Sequence, residues 1–448
     1  MSPQRSDEEN ILPLARDLNE RLAKAAPEVF EMLSALGRRL YFPKGILSQG
    51  AEAKQKAKRV NATIGIATEN GKPMHLPSIA SHLVGIASDE AFDYAPPAGQ
   101  QKLRERWRDK IVGENPGLAG RAFGLPIVTS AITHGLMLAG DLFVDPGDVI
   151  VLPDKVWDNY KLTFEVRLGA RVVGYPFYAG EGFDCAGFAA AMEEAAGERD
   201  KVIALLNFPN NPTGYMPTQA ESRSIAETLL RQAERGTRVI ALLDDAYFGL
   251  FYHLGRESST TSLFADLVNR HPNLLAIRLD GATKELFVWG LRCGFITFGP
   301  GRAASAPEVC DVLEAKVKGA VRSAISNVPQ LSQTLVLKAL ASPTLDAERA
   351  EKNETLRRRA ERVYEVARAP RFRESWTVYP FNSGYFMCVQ LTGVEAERVR
   401  LHLLDQYGIG TIATGGHDLR IAFSCMEVDQ VEELFETLHR AVQELRST

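Results

Sequence analysis

Cysteine is scarce in this chain and never closely paired. Cys185, Cys293, Cys310, Cys388 and Cys425 are scattered through 448 residues without a CxxC spacing, which excludes a disulfide framework or zinc site and leaves them as small buried hydrophobes. Histidine is sparse too: the eight present show no HxH or HExxH spacing, so no metal site is expected. No apolar run approaches the roughly 18 residues of a membrane span. Met1 to Asn10 is polar and acidic rather than basic and then apolar, so a cytoplasmic protein without membrane contact is expected. Positive charge is not in excess either. With 52 Lys and Arg against 56 Asp and Glu, nothing offers nucleic acid a basic footprint. Internal repeats and low-complexity tracts are absent. What remains is an ordinary globular composition, 45% hydrophobic and 24% charged, long enough for two domains and suited to small-molecule chemistry.

Apolar residues at helical spacing run from Glu8 to Leu40, with Pro27 placed to start a second helix and Pro43 and Gly45 to end the stretch. From Phe123 onward, continuous Val/Ile/Leu strands alternate with amphipathic helices: Asp148 to Leu152, Arg171 to Tyr175, Lys201 to Leu206, Val239 to Leu243, Leu274 to Leu279 and Phe295 to Phe298. That alternation predicts an α/β fold whose large domain has a mostly parallel sheet covered by helices on both faces. After Pro343 come a charged helix, Asp346 to Arg368, strands at Trp376 to Phe381, Tyr385 to Gln390 and Leu419 to Phe423, and an amphipathic helix from Val428 to Leu445. The expected division is a helical extension over 1–60, a large domain over 90–339, and a smaller α+β domain built from 61–89 and 340–448.

Ligands of open parallel sheets bind beyond the carboxyl ends of the strands, so polar residues there carry the chemical reading. Asn211 lies in Asn207-Phe-Pro-Asn-Asn-Pro-Thr-Gly214, a rigid loop just after a strand. Asp244 ends the run Val239 to Leu243, where a carboxylate needs a partner. A ring nitrogen would serve, and so would an arginine. Tyr247 is placed to reach the same region or to close the core edge. Lys284 follows Asp280-Gly-Ala-Thr283, and a lysine that is to form a Schiff base must lose its proton near neutral pH, which burial and a nearby cation favour. Arg292, between Gly290 and Gly294, supplies a cation and a fork for phosphate. Singly, each residue also has an ordinary structural explanation; their order is what carries weight.

Together these residues resemble the fold-type I pyridoxal-phosphate aminotransferases of class I/II, among them the aspartate and aromatic amino-acid aminotransferases, from about Asn61 to the C-terminus. The resemblance implies that Lys284 is the catalytic Schiff-base lysine and proton shuttle and that the cofactor is pyridoxal 5'-phosphate. It implies further that Asp244 pairs with the ring nitrogen, Asn211 and Tyr247 bond the ring hydroxyl, and Arg292 grips the phosphate. Pro153-Asp-Lys-Val-Trp157 is similar to the loop that stacks an aromatic ring, here Trp157, on the cofactor. Thr133-His134-Gly135-Leu136 resembles the helix-entry turn whose backbone amides bind phosphate. Tyr94-Ala-Pro-Pro-Ala-Gly99 is similar to the motif whose tyrosine reaches the phosphate of a neighbouring subunit, implying a homodimer with shared active sites.

The resemblance also assigns substrate contacts. Gly65, in Asn61-Ala-Thr-Ile-Gly65, takes the backbone-contact position, Arg420 the α-carboxylate, and Arg322, in Arg-Ser-Ala-Ile-Ser-Asn-Val-Pro329, the distal carboxylate of an acidic substrate across the dimer interface. As a residue of a Lys/Arg-bearing helical stretch, Arg322 also fits a solvated face. The chain departs from the family at Gly281, where a phosphate-binding serine is usual; Thr283 is the candidate replacement. Asp280 beside a phosphate would be repulsive unless it turns away or meets an arginine. The expected reaction moves an α-amino group from an acidic or aromatic L-amino acid to a 2-oxo acid, 2-oxoglutarate, by a ping-pong mechanism. A lyase or decarboxylase on the same fold and a non-catalytic cofactor-binding regulator are the alternatives.

Overall fold

The computed structural model describes residues 12–41 and 45–446. Its main sheet comprises β1 (Ile127–Ser130), β2 (Val149–Pro153), β3 (Arg171–Tyr175), β4 (Lys201–Asn207), β5 (Arg238–Asp244), β6 (Leu274–Gly281) and β7 (Cys293–Gly299), in the spatial order β1-β7-β6-β5-β4-β2-β3. From β3 to β6 all neighbours run parallel. Both faces are covered, and β4 and β5 are buried from their second residue to their last, which is why these strands read as unbroken apolar runs. β7 runs antiparallel to both β6 and β1. Every strand expected from residue 148 to 298 is present. β1 was not foreseen, because four residues carry too little pattern to register.

The register sets the chemistry. Asn207, Asp244 and Leu279 lie opposite one another on β4, β5 and β6, so the carboxyl ends of three adjacent strands are level. On β6, period-two alternation puts Arg278 and Asp280 on one face and Leu279 and Gly281 on the other. Asp280 accepts a hydrogen bond from Trp107 Nε1 at 3.0 Å and lies 3.3 Å from Arg278 Nη1, while Arg278 Nε donates to Asp245 at 2.7 Å. The carboxylate that threatened repulsion is therefore consumed in a buried ion cluster, three of whose members, Arg278, Asp245 and Asp280, are all at most 6% exposed.

A second sheet, antiparallel throughout, contains β8 (Trp376–Val378), β9 (Phe386–Leu391), β10 (Ile412–Ala413) and β11 (Asp418–Ala422), in the order β8-β9-β11-β10. Against it pack the long helix Leu345–Ala367 and the closing helix Gln430–Arg446, whose buried Val431, Leu434, Phe435, Leu438 and Val442 form one stripe. Residues Val60 and Asn61 pair with Ile409 and Gly410. The two sheets meet at Asn382, whose carboxamide accepts from Met216 N at 2.8 Å and donates to Met216 O at 2.9 Å. Gly214 is forced at this junction: its φ is +72°, and a Cβ would stand 1.9 Å from the carbonyl of Phe386.

The N-terminal helical stretch resolves into Pro13–Ala25, Pro27–Glu31 and Ala35–Arg39, with Pro27 opening a helix as expected. Glu8 to Ile11 and Pro43 lie outside the described residues. Gly45 corrects its expectation: it precedes a further helix, Ile46–Lys56, as its N-cap. That helix has too few buried apolar positions to show a stripe. Among the described residues, no helix is long and apolar enough to cross a membrane.

Gly281 is extended, but a Cβ there would lie 2.7 Å from Gly294 Cα and 2.8 Å from Cys293 O. Both are backbone atoms that cannot rotate away. Replacing it with serine is expected to part β6 from β7 at a cost of about 1–3 kcal/mol, read as a lower Tm for Gly281→Ser.

Candidate functional site

A cavity of about 200 Å³ opens at the carboxyl ends of β4, β5 and β6. Its walls include Gly65, Thr133, Trp157, Asn211, Asp244, Tyr247, Thr283, Lys284, Arg292 and Arg420. Residues separated by more than 350 positions thus converge on one space.

Lys284 sits in the turn Ala282–Glu285 that leaves β6. Its Nζ lies 5.0 Å from the centroid of the Tyr247 ring, and its carbonyl accepts from Tyr385 Oη at 2.8 Å. Burial, helped by the positive charge of Arg292 and opposed by Asp244, lowers the amine from 10.5 to about 8. A useful fraction is therefore neutral near pH 7, as nucleophilic attack on a carbonyl demands.

Asp244 is 2% exposed. Burial raises its pKa, against the opposing pull of Tyr160, Lys284 and the Ala246 amide. Tyr160 Oη donates to Oδ2 at 2.6 Å, the Ala246 N–H donates to Oδ1 at 3.0 Å, and the Asp244 carbonyl accepts from Asn207 Nδ2 at 2.9 Å. Asn207 Oδ1 in turn accepts from the Asn211 amide at 2.8 Å, so the strand-end asparagine locks both Asp244 and the Asn211 loop. No cation forms an ion pair with Asp244 among the described residues.

Arg420, on β11, is 1% exposed. It donates through Nη1 to Asn211 Oδ1 at 3.0 Å and through Nη2 to Thr63 O at 2.8 Å, and it stacks 4.2 Å from the centre of the Phe386 ring. Burial lowers its pKa, and no carboxylate among the described residues pairs with it. A desolvated guanidinium facing a cavity in this state is built to receive an anion. At the opposite end, Arg292 adopts a left-handed backbone (φ 50°) and donates only to Trp289 O, at 3.4 Å. The shielded Thr283 Oγ1 has no hydrogen-bond partner. This end of the cavity, with the first turn of the helix Ala131–Phe143, offers donors and positive charge to a phosphate.

Three predicted residues of that turn stay out of the lining. His134 is buried, its Nδ1 accepting from the Ser130 amide at 3.1 Å; Gly135 lies under Leu279, where a Cβ would be 2.8 Å from Cδ2; Leu136 is in the core. Two others are outside the cavity of a single chain. Tyr94 is 89% exposed, and Arg322, exposed near the end of the helix Ala306–Ala324, bonds Ser326 Oγ. Sequence reasoning missed Tyr160, Asn207, Ile46 and Phe386, all in the lining. Tyr160 was findable: it follows Trp157 by one helical turn, a spacing that puts two side chains on one face. Asn207 was marked only by its place at a strand end, and Ile46 and Phe386 by nothing.

The family profile described as "Aminotransferase class I and II" matches residues 66–438. The cytoplasmic aspartate aminotransferase of Caenorhabditis elegans is 24% identical over 87% of this chain and 92% of its own length. Among solved structures, an aminotransferase from Anaerococcus prevotii superposes with a TM-score of 0.79 at 20% identity, covering 92% of this chain and 99% of that one. Kynurenine aminotransferase from Pyrococcus horikoshii gives 0.75 at 18%, covering 93% and 98%.

Two expectations follow from the geometry. In the cofactor-free protein, labelling of Lys284 by an aldehyde probe, read by mass spectrometry, should rise with pH through a midpoint near 8. Asp244 favours the charged amine, so Asp244→Asn should move that midpoint lower; an unchanged midpoint would remove the coupling. Tyr160→Phe strips a buried carboxylate of its phenolic donor, and should lower Tm by the equivalent of about 1–3 kcal/mol.

Proposed function

Because the chain belongs to the class I and II aminotransferases, we propose that it transfers the α-amino group of an acidic or aromatic L-amino acid to 2-oxoglutarate in two half-reactions, with pyridoxal 5'-phosphate held in the cavity. The observation that carries this reading is Arg420: a buried guanidinium without a carboxylate, beside a lysine lowered to about 8, in one cavity. The residues fit the cofactor: among the described residues, the buried carboxylate at the strand ends has no paired cation, the Thr283 hydroxyl has no hydrogen-bond partner and Arg292 pairs with no acid.

Bound pyridoxal 5'-phosphate supplies an aldehyde that condenses with amines and a ring that takes up the electron pair left when the α-proton departs. Asp244 presents an ionised oxygen to the ring nitrogen and keeps it protonated. Asn211, whose Oδ1 is engaged by Arg420, has only its amide donors left for the ring hydroxyl oxygen, which Tyr247 shares. Trp157 covers the ring. Thr283, in place of a serine that Gly281 has no room for, holds the phosphate with Arg292 and the first turn of the helix Ala131–Phe143, of which Ala131, Ile132 and Thr133 line the cavity. Arg420 grips the substrate α-carboxylate as a bidentate fork, with the Gly65 backbone closing over it. Lys284, whose amine burial shifts toward the neutral form, would be the group that carries the proton from the substrate α-carbon.

A second copy of the chain completes the arrangement. Tyr94 lies in a segment that also exposes Leu83, Val84 and Phe92, at 66%, 83% and 85% exposure, apolar side chains that gain from burial. In that dimer Tyr94 reaches the partner's phosphate, and Arg322 the distal carboxylate of an acidic substrate.

An amino-donor panel tests the reading. With no oxo acid present, L-aspartate, L-glutamate or an aromatic amino acid should discharge the absorbance of the lysine-bound cofactor without releasing ammonia or carbon dioxide; either product would establish the lyase or decarboxylase instead. Arg322→Gln should weaken dicarboxylates on the order of a hundredfold, the effect of stripping a partner from a buried charge, while aromatic donors change little. Equal losses would take Arg322 out of substrate recognition.

A further inference from the structure

A second cavity, of about 160 Å³, lies where the two sheets' surroundings meet, behind the turn that follows Asn211. Tyr215 and the loop Leu254 to Arg256 form one wall; Tyr364, Arg368 and the segment Pro380 to Asn382 form the other. None of these residues lines the catalytic cavity.

The anomaly is Arg368. In the helix Leu345–Ala367 the basic side chains are systematically neutralised: Arg349, Lys352, Arg357, Arg358, Arg359 and Arg362 each have a carboxylate within ion-pairing distance. Arg371 beyond it has Glu432 and Glu436. Arg368, between them, pairs with no acid among the described residues. Its guanidinium instead lies over the Tyr364 ring, 4.1 Å from the centroid, with the adjoining Phe381 ring 5.8 Å away on the same side. Its Nη1 is shielded from solvent and has no hydrogen-bond partner. Stacking leaves the edge of the fork, the part that recognises anions, as the unsatisfied part.

Across the gap stands Arg256, tethered through Nη1 to the Glu181 carbonyl at 2.6 Å and only distantly to Glu221, at 3.4 Å. Glu221 accepts from Tyr215 Oη at 2.9 Å and from the Thr218 amide at 2.7 Å on Oε2, and from the Phe183 amide at 3.1 Å on the Oε1 that pairs with Arg256, so its charge is shared among several donors. Glu181 also borders the cavity, but it is exposed and contributes its backbone carbonyl to Arg256. The walls between the two arginines are aromatic and aliphatic: Tyr215, Leu254, Tyr364 and Phe381.

We propose that this cavity is a second ligand site, separate from the catalytic one, which binds a small organic carboxylate through the Arg368 fork with Arg256 closing from the opposite wall. A planar carboxylate matches the fork of a guanidinium that lines the cavity without an acid partner, and a short carbon skeleton matches the apolar walls. The site depends on neither the amino donor nor the reaction, so its fate is independent of the aminotransferase reading.

Isothermal titration of the cofactor-loaded protein with succinate tests it, the cofactor having first been fixed to Lys284 with borohydride. Arg420→Gln removes carboxylate binding at the catalytic cavity; a saturable succinate site should persist in that variant and weaken tenfold or more when Arg368→Gln is added. If Arg368→Gln does not fold, Arg368→Lys keeps the charge, loses the fork, and should show the same direction of loss. Abolition of all succinate binding by Arg420→Gln alone would overturn the proposal, as would an Arg368 variant that titrates like its parent. Inorganic phosphate binding there while succinate does not would overturn the carboxylate assignment.

Discussion

A carboxylate at the buried end of β5 is the constraint on which the rest of the site depends. Asp244 lies 2% exposed, with burial raising its pKa, and a charge so placed is tolerable only if its lone pairs are used. Tyr160 and the Ala246 amide use part of them; Asn207 ties the same residue's carbonyl to the neighbouring strand. The alignment of Asn207 with Asp244 across β4 and β5 makes this possible, and that alignment is a property of parallel strands ending level. From Asn207 the constraint passes to Asn211 and from Asn211 to Arg420. A chain of hydrogen bonds thus links the middle of the main sheet to a strand of the second sheet, with every member buried.

Lys284 belongs to the same system electrostatically. Burial pushes its pKa down and Asp244 pulls it up, so the two groups set one another's charge. A lower burial would leave the amine protonated and unreactive; loss of Asp244 would free it further and, on the proposed reading, take the partner from the cofactor's ring nitrogen. A pKa lowered to about 8 is a compromise between the two, in the range where a proton can be both given and taken near neutral pH.

Much of the architecture was legible because parallel strands buried on both faces announce themselves as nearly continuous apolar runs, and β2, β4 and β5 do so. β1 and the helix Ile46–Lys56 did not, one too short and the other too polar to carry a period. The positions gathered round the cavity were legible for a different reason: Asn211, Asp244 and Lys284 each follow a strand, and strand ends in such a sheet converge. Phe386 was hidden because an aromatic residue looks alike in a core and in a cavity wall. Orientation was hidden as well. Asp280 beside a phosphate pocket read as a conflict, and the period-two alternation of β6, turning it onto Arg278 and Trp107, removes the conflict without any compensating residue in the pocket.

That alternation also explains the unusual glycine. Gly281 and Gly294 are paired across β6 and β7, and a side chain at either would strike the other strand or the start of the helix at Ala131. Packing the strands this closely brings the turn at Ala131 to Thr133 and the turn at Thr283 to the same end of the cavity. A hydroxyl at 281 would face backbone at less than van der Waals distance. At 283 the chain has already turned off the strand, and the hydroxyl is buried, unpartnered and beside the cavity. Moving the donor by two residues is therefore the consequence of the close strand contact: the proposed phosphate grip changes its residue so that the sheet need not open.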